Sequence, residues 1–414
     1  MIKVTQQDLE EKPEDALKQF FEGIKSEQTR KNYEGNLKYF LLNVCKDLLH
    51  GNLAQRAQEY VGLAKKDQQL AIRIVRVYVS KLRERTQKPK DDPEYLNPSS
   101  LPNKVKPIKK ILEMNDVGLA WARIYAMYPE LDNSLSTRGY TRNEIQKMLE
   151  HTQELSTKVI VLTMTSGGFR EGAWDSLTWR DIFPIYKTKD GKYKIELDDR
   201  EDAEIVCGAM SIYKGSVEEY TALISIEAWN KLQEWRNEFT KIMDGAPKPD
   251  DPIIMGVGTK RKLNATSIRD RMIMVCLRAG LRIPLTEGKR RHEVPAVHGF
   301  RKYWNKIMMN VEKSNGLLSD LVIKERLMGH KMDIVRTDKN YFFTDILDMV
   351  EPYLQAMPQL MISDEARLKI KLENEVKKTN ELEQEVRDNE RTKLQLEQLE
   401  VKVRRMEAYK KLVE

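Results

Sequence analysis

Cysteine is scarce in this chain of 414 residues: Cys45, Cys207 and Cys276 stand far apart, and no C-x-x-C pair occurs. That leaves little material for a disulfide framework or a thiolate zinc site, and it fits a reducing compartment. No apolar run approaches the roughly 20 residues that cross a bilayer. The opening stretch MIKVTQQDLEEKPEDALKQF is polar and acidic and lacks the apolar core of a secretory signal. The expectation is a cytoplasmic protein without a membrane anchor. Histidine is also scarce, at five, so the places where it falls carry weight. Neither glycine nor proline occurs after Pro358.

Charged residues, in contrast, make up 33% of the chain, above the usual quarter. Much of the chain is therefore expected at a surface or in an extended helix. Lys and Arg outnumber Asp and Glu by 71 to 64. This bias permits a nucleic-acid partner without establishing one. With 40% hydrophobic residues over this length, two or three packed domains are expected.

Residues 1–20 read as a polar lead-in. Residues 21–128 read as a helical domain. Tyr33, Leu37, Phe40 and Leu41 form one apolar stripe, and Leu70, Ile74 and Val77 a second. Prolines break the pattern over TQKPKDDPEYLNPSSLPNKVKP, and a helix follows in IKKILEMND. Residues 129–137 have linker composition. Thr141 with Glu144 forms a capping box that starts a helix, and Gly167-Gly168 stops the next one. Over 182–226 the pattern turns β-like in KYKIELDD, EDAEIVCGAMSIYKG and SVEEYTALIS, with turns at Asp190-Gly191 and Lys214-Gly215. The fold expected for 138–360 is therefore mainly α with a small three-stranded antiparallel sheet, an α+β class. Residues 361–414 read as a charged helix with coiled-coil tendency, with Leu396, Leu399, Val403 and Met406 on a seam.

Five scattered features could together serve phosphoryl transfer. Arg170 follows a helix break. Lys214 sits on a hairpin turn. His298 and Arg301 are three apart and share one helix face. His330 follows Gly329 at a helix end, and Tyr341 comes shortly after. A phosphorane needs fixed positive charge, best supplied by arginine, together with a hydroxyl nucleophile and a proton donor for the leaving oxygen. Each feature alone has an ordinary reading: a surface arginine, a helix cap, a core tyrosine.

Their order resembles the tyrosine recombinase (phage integrase) family. TSGGFREGAWDSLTWRDI resembles its first-arginine box, with Leu177 and Trp179 at the family's Leu and Trp positions. SIYKGSVEEYTALIS resembles its β-hairpin, VHGFRKYW its H-x-x-R box and ERLMGH its second-histidine box. SEQTRKNYEGNLKYFL is similar to part of its helical core-binding domain, and archaeal integrase-like recombinases offer the nearest resemblance. The resemblance implies site-specific cleavage and rejoining of double-stranded DNA through a 3′-phosphotyrosine, with no metal, ATP or other cofactor. Arg170, Arg301 and His330 would hold the phosphate, Lys214 would protonate the leaving 5′-oxygen, His298 would assist at the tyrosine, and Tyr341 would attack. It also implies a homotetramer on paired attachment sites in the nucleoid, with the last helix helping to assemble it. One departure stands out: Ala173 occupies a position where many members carry a carboxylate. The readings that compete are a type IB topoisomerase-like relaxing enzyme, an inactive architectural DNA-binding protein, Tyr353 as nucleophile, and a coiled-coil scaffold.

Overall fold

Residues 15–130, 137–198, 202–285, 291–310, 317–330 and 345–413 are described by a computed structural model. They fall into two compact units, which divide between residues 130 and 137, with Leu285 and Arg291 grouped with the first.

In the first unit, helices α1 (Ala16–Glu22), α2 (Glu27–Tyr39), α3 (Leu53–Lys66), α4 (Gln68–Gln87), α5 (Leu101–Met114) and α6 (Trp121–Tyr125) enclose one apolar core. Helix α1 begins inside the expected lead-in. Asp15 caps it, and Ala16 and Phe20 are fully buried. On α4 the inward face is offset by one residue from the expected stripe. Ala71, Val75, Tyr78 and Leu82 are buried, whereas Leu70 and Val77 are exposed. The small Ala71 allows close approach, and Tyr78 packs its ring 5.3 Å from Phe40. Helix α5 runs through Pro107, which the composition placed in a loop. The proline withholds the N–H that would reach Asn103 O. The Asn36 side-chain amide donates to that carbonyl instead, at 3.2 Å.

The second unit is mainly helical with one antiparallel sheet, the expected α+β class. Its helices are α7 (Arg142–Glu150), α8 (Leu155–Gly167), α9 (Ile226–Met243), α10 (Ala265–Arg278), α11 (His298–Met309), α12 (Leu317–Leu327), α13 (Val350–Leu360) and α14 (Asp364–Val413). The sheet has four strands rather than three: β1 (Ile182–Thr188), β2 (Tyr193–Lys194), β3 (Ala203–Ile212) and β4 (Tyr220–Ile224), in the order β2-β1-β3-β4. Strand β1 lies outside the three segments expected, and it carries Pro184, which cannot donate to a ladder. It is tolerated because β2 spans two residues and pairs only with Tyr186 and Lys187, so β1 is an edge at Pro184.

Helix α8 is buried along nearly its whole length, and its Thr163, Thr165 and Ser166 hydroxyls donate to carbonyls of their own helix. Sheet, α9 and α11 pack about it and leave its C-terminus at the site described below. Glu227 on α9 accepts from the backbone N–H groups of Ile362 and Ser363 at 2.7 and 2.8 Å, and Arg142 pairs with Asp364 at 2.7 Å. These contacts anchor the start of α14, whose seam residues Leu382, Leu396 and Val403 are exposed.

The capping box of α7 forms as expected. Thr141 N donates to Glu144, and Arg138 grips the same carboxylate with two N–H groups at 2.7 and 2.8 Å. Arg138 hydrogen bonding, against partial burial and with help from Thr141, holds the Glu144 carboxyl down to about 2. Because the folded value lies below the unfolded one, this stability is present above about pH 4.5 and is lost as the pH falls toward 2. Glu144→Gln keeps a capping side chain and removes the charge. Urea melts should show it less stable than wild type by roughly 1 kcal/mol at pH 7, discounted for the exposed Arg138, with the difference largely gone at pH 2. An equal difference at both pH values would refute this linkage.

Candidate functional site

Two helix ends meet at this site, and each is closed by a glycine in the left-handed region. Gly168 (φ 59°) ends α8, and a Cβ there would lie 2.6 Å from the Trp304 ring. Gly329 (φ 64°) ends α12, and a Cβ there would lie 2.3 Å from the Tyr220 ring. Around Gly329 the chain closes a Schellman cap: Gly329 N donates to Arg326 O at 2.8 Å and His330 N to Glu325 O at 2.9 Å. The backbone therefore folds His330 back over the last turn of its own helix.

Carbonyls freed at these ends face arginine. Arg301, on the first turn of α11 and 3% exposed, donates through Nη1 to Gly168 O at 2.7 Å and through Nη2 to Met328 O at 2.7 Å. The same Nη2 lies 2.8 Å from His330 Nε2. Exposed Arg170 makes a longer contact through Nη1 with Gly329 O, at 3.4 Å. A buried guanidinium is normally balanced by a carboxylate. Here the partners are carbonyls at the negative ends of two helix dipoles. Burial, and then the charge of Arg170, pull Arg301 below its ordinary value.

Nearby carboxylates are committed elsewhere. Glu171 pairs with Arg269, Asp175 accepts from Ala265 N at 2.8 Å to fix the start of α10, and Asp181 caps the turn at Thr178. Ala173 is fully buried in the core. The family's carboxylate position is thus apolar here, and neither flanking acid takes over contact with Arg170.

The structure brings Arg170, Arg301 and His330 together, with His298 one turn before Arg301 on α11. Burial on its protein side, and then the charges of Arg301 and Lys302, hold His298 below its ordinary value, so it is neutral at pH 7. Lys214 lies in the β3–β4 turn as expected, between Tyr213 (φ 55°) and Gly215 (φ 78°). Its ammonium faces Asp181 Oδ1 at 3.8 Å. Tyr341 lies outside the described residues. Tyr353 is fully buried, and its hydroxyl donates to Ser166 O at 3.0 Å. That leaves it unable to reach a ligand.

Sequence reasoning missed Glu325 and Tyr220. Glu325 accepts from His330 Nδ1 and from Lys324 Nζ, the latter at 2.6 Å. Its signal was there in retrospect, because a Schellman cap places residues five apart against each other. The Tyr220 hydroxyl is buried beside Arg301 and makes no well-formed hydrogen bond among the described residues. Burial raises it, and the nearby Arg301 and Arg170 charges oppose that. Among the described residues, no group of three or more His, Cys, Asp or Glu is placed to hold a metal, and no helix is long and apolar enough to cross a membrane.

No protein-family model and no curated protein matches the chain. Among solved structures it is similar to XerA recombinase, at 14% identity and TM-score 0.32, over 83% of this chain and 98% of that one. It is also similar to XerH site-specific recombinase bound to difH substrate in a pre-cleavage complex, at 13% identity and TM-score 0.39, over 80% and 86% of the two chains. A third likeness is to a lambda integrase dimer bound to a COC′ core site, at 12% identity and TM-score 0.44, over 80% and 97%. Likenesses this distant do not carry an activity over to the chain.

Proposed function

We propose that the chain is a site-specific DNA recombinase of the tyrosine recombinase class, which cuts and rejoins double-stranded DNA through a 3′-phosphotyrosine. The observation that supports this best is the unbalanced positive charge at the junction of two helix ends. Arg301 is buried there with no carboxylate partner among the described residues, and Arg170 and His330 lie beside it. Such a site favours an oxyanion whose charge grows during reaction.

In this reading the phosphate seats against Arg170, Arg301 and His330, which donate to its non-bridging oxygens. The Tyr341 oxygen attacks phosphorus, and the 5′-oxygen leaves with a proton from Lys214. Lys214 must first exchange Asp181 for the DNA, a short swing for a side chain on a turn. Neutral His298 accepts the tyrosine proton. A 5′-hydroxyl of a second duplex then attacks the phosphotyrosine, so no bond energy is lost and no nucleotide cofactor is called for. Residues 21–128 would serve as a DNA-binding domain and 138–360 as the catalytic domain. Four copies would assemble on two attachment sites, with the exposed seam of α14 contributing contacts.

A nicked suicide duplex carrying the native attachment sequence tests this. Incubated with the full chain in EDTA, it should yield a protein–DNA adduct that survives a denaturing gel. The grip should weaken steeply between 50 and 200 mM salt, as phosphate contacts do. DNA bound without any adduct would favour the architectural reading. An adduct accompanied by relaxation of supercoils regardless of sequence would favour the topoisomerase-like one.

A further inference from the structure

The bonds at His330 form a directed chain. Lys324 Nζ donates to Glu325 Oε1, His330 Nδ1 meets Glu325 Oε2, and Arg301 Nη2 meets His330 Nε2. A guanidinium can only donate and a carboxylate can only accept. His330 therefore carries its proton on Nδ1 and turns the lone pair of Nε2 toward Arg301. Glu325 stays ionised to do this. Burial pushes its carboxyl up, but the hydrogen bonds of Lys324 and His330 outweigh burial and hold it below its ordinary value. Lys324 is itself buried, at 7% exposure, so it is a fixed partner rather than a passing surface contact.

We propose that Glu325 is a positioning residue: it pins the Nδ1 proton of His330 and so reserves Nε2 for the anion. This rests on the reading of the site as a phosphate centre. When an oxyanion arrives between Arg301 and His330, the Nη2–Nε2 contact opens and Nη2–H turns to the oxygen. A proton taken up at Nε2 then makes a second donor on the same side. Without Glu325 the ring can flip or place its proton on Nε2 facing Arg301, donor against donor. The groups around the imidazole are Arg301 on α11, Arg170 at Gly329 O, the Tyr220 hydroxyl on β4, and Glu325 and Lys324 on α12. Among the described residues, the group that meets Nδ1 is Glu325.

The full chain, labelled with 15N-histidine, decides this in two readouts. Long-range proton–nitrogen spectra report the tautomer, and His330→Asn assigns the signal among five histidines. Wild type and Glu325→Gln, whose amide oxygen still accepts, should show the proton on Nδ1. Glu325→Leu should show a shift toward Nε2. In single-turnover cleavage of nicked DNA, Glu325→Leu should be roughly 10- to 100-fold slower, the scale for losing such an outer partner. Glu325→Gln should stay within about threefold, and DNA affinity should hold in both. If Leu prevents folding, Glu325→Asp, one methylene short, replaces it with the same expectations. An unchanged tautomer in the Leu or Asp variant overturns the assignment, and so does wild-type cleavage alongside a shifted tautomer. If wild type forms no adduct, the recombinase reading fails while the tautomer measurement still decides the role of Glu325.

Discussion

Tyr341→Phe is expected to bind attachment-site DNA as wild type does and to form no covalent adduct. The substitution removes one oxygen. Phosphate contacts by lysine and arginine dominate affinity, so gel-shift midpoints should agree within about threefold. Loss of a nucleophile costs at least about 10⁴-fold in turnover, which places the adduct below detection on a denaturing gel. Tyr353 cannot substitute, because its hydroxyl is buried against Ser166 O. An adduct persisting in the variant would move the nucleophile to another tyrosine. Tyr213 and Tyr220, next to the arginines, would be the first to replace. A variant that loses DNA binding as well would contradict a purely chemical role for Tyr341.

Arg170→Ala and Arg301→Ala should both slow cleavage by at least about a hundredfold, the cost of one donor to the transition state, yet differ in every other respect. Arg170 is exposed and makes one long contact, so its alanine variant should melt within about a degree of wild type. Arg301 is buried and satisfies Gly168 O and Met328 O while meeting His330 Nε2. Removing it leaves carbonyls unpaired in the interior, and the expected loss of stability is about 2–4 kcal/mol. Thermal melts and single-turnover cleavage on the same preparations separate the two effects. Equal melting of both variants would show that the three-way grip of Arg301 contributes little. Wild-type cleavage in Arg170→Ala would exclude it from the phosphate.

Local signals with a short physical range were legible in the sequence. Thr141 and Glu144 cap α7 because both partners lie within one turn, and Gly168 ends α8 because only glycine takes that φ beside Trp304. The offset of α4 was not legible. Ala71 and Tyr78 win the core through what they meet on other elements, and periodicity alone weighs Leu70 the same. Strand β1 fell outside the three segments read as strands, and its Pro184 is accommodated because β2 is too short to pair with it. The helix through Pro107 depends on Asn36, 67 residues away from Asn103. At the site, motif order pointed to Arg170, Arg301 and His330. Glu325 escaped because its role is set by a backbone cap and not by the spacing of charges.

The grip of Arg301 on two helix ends also bears on how such a protein could decay. On the recombinase reading, a lineage that no longer needed to cut DNA would still be held to Arg301 by folding, since its loss leaves the Gly168 and Met328 carbonyls without their donor. Arg170 has no such second employment and would drift freely. Among descendants of this chain, a retained Arg301 therefore says little about whether strands are still exchanged. The residue to watch is the exposed arginine beside it.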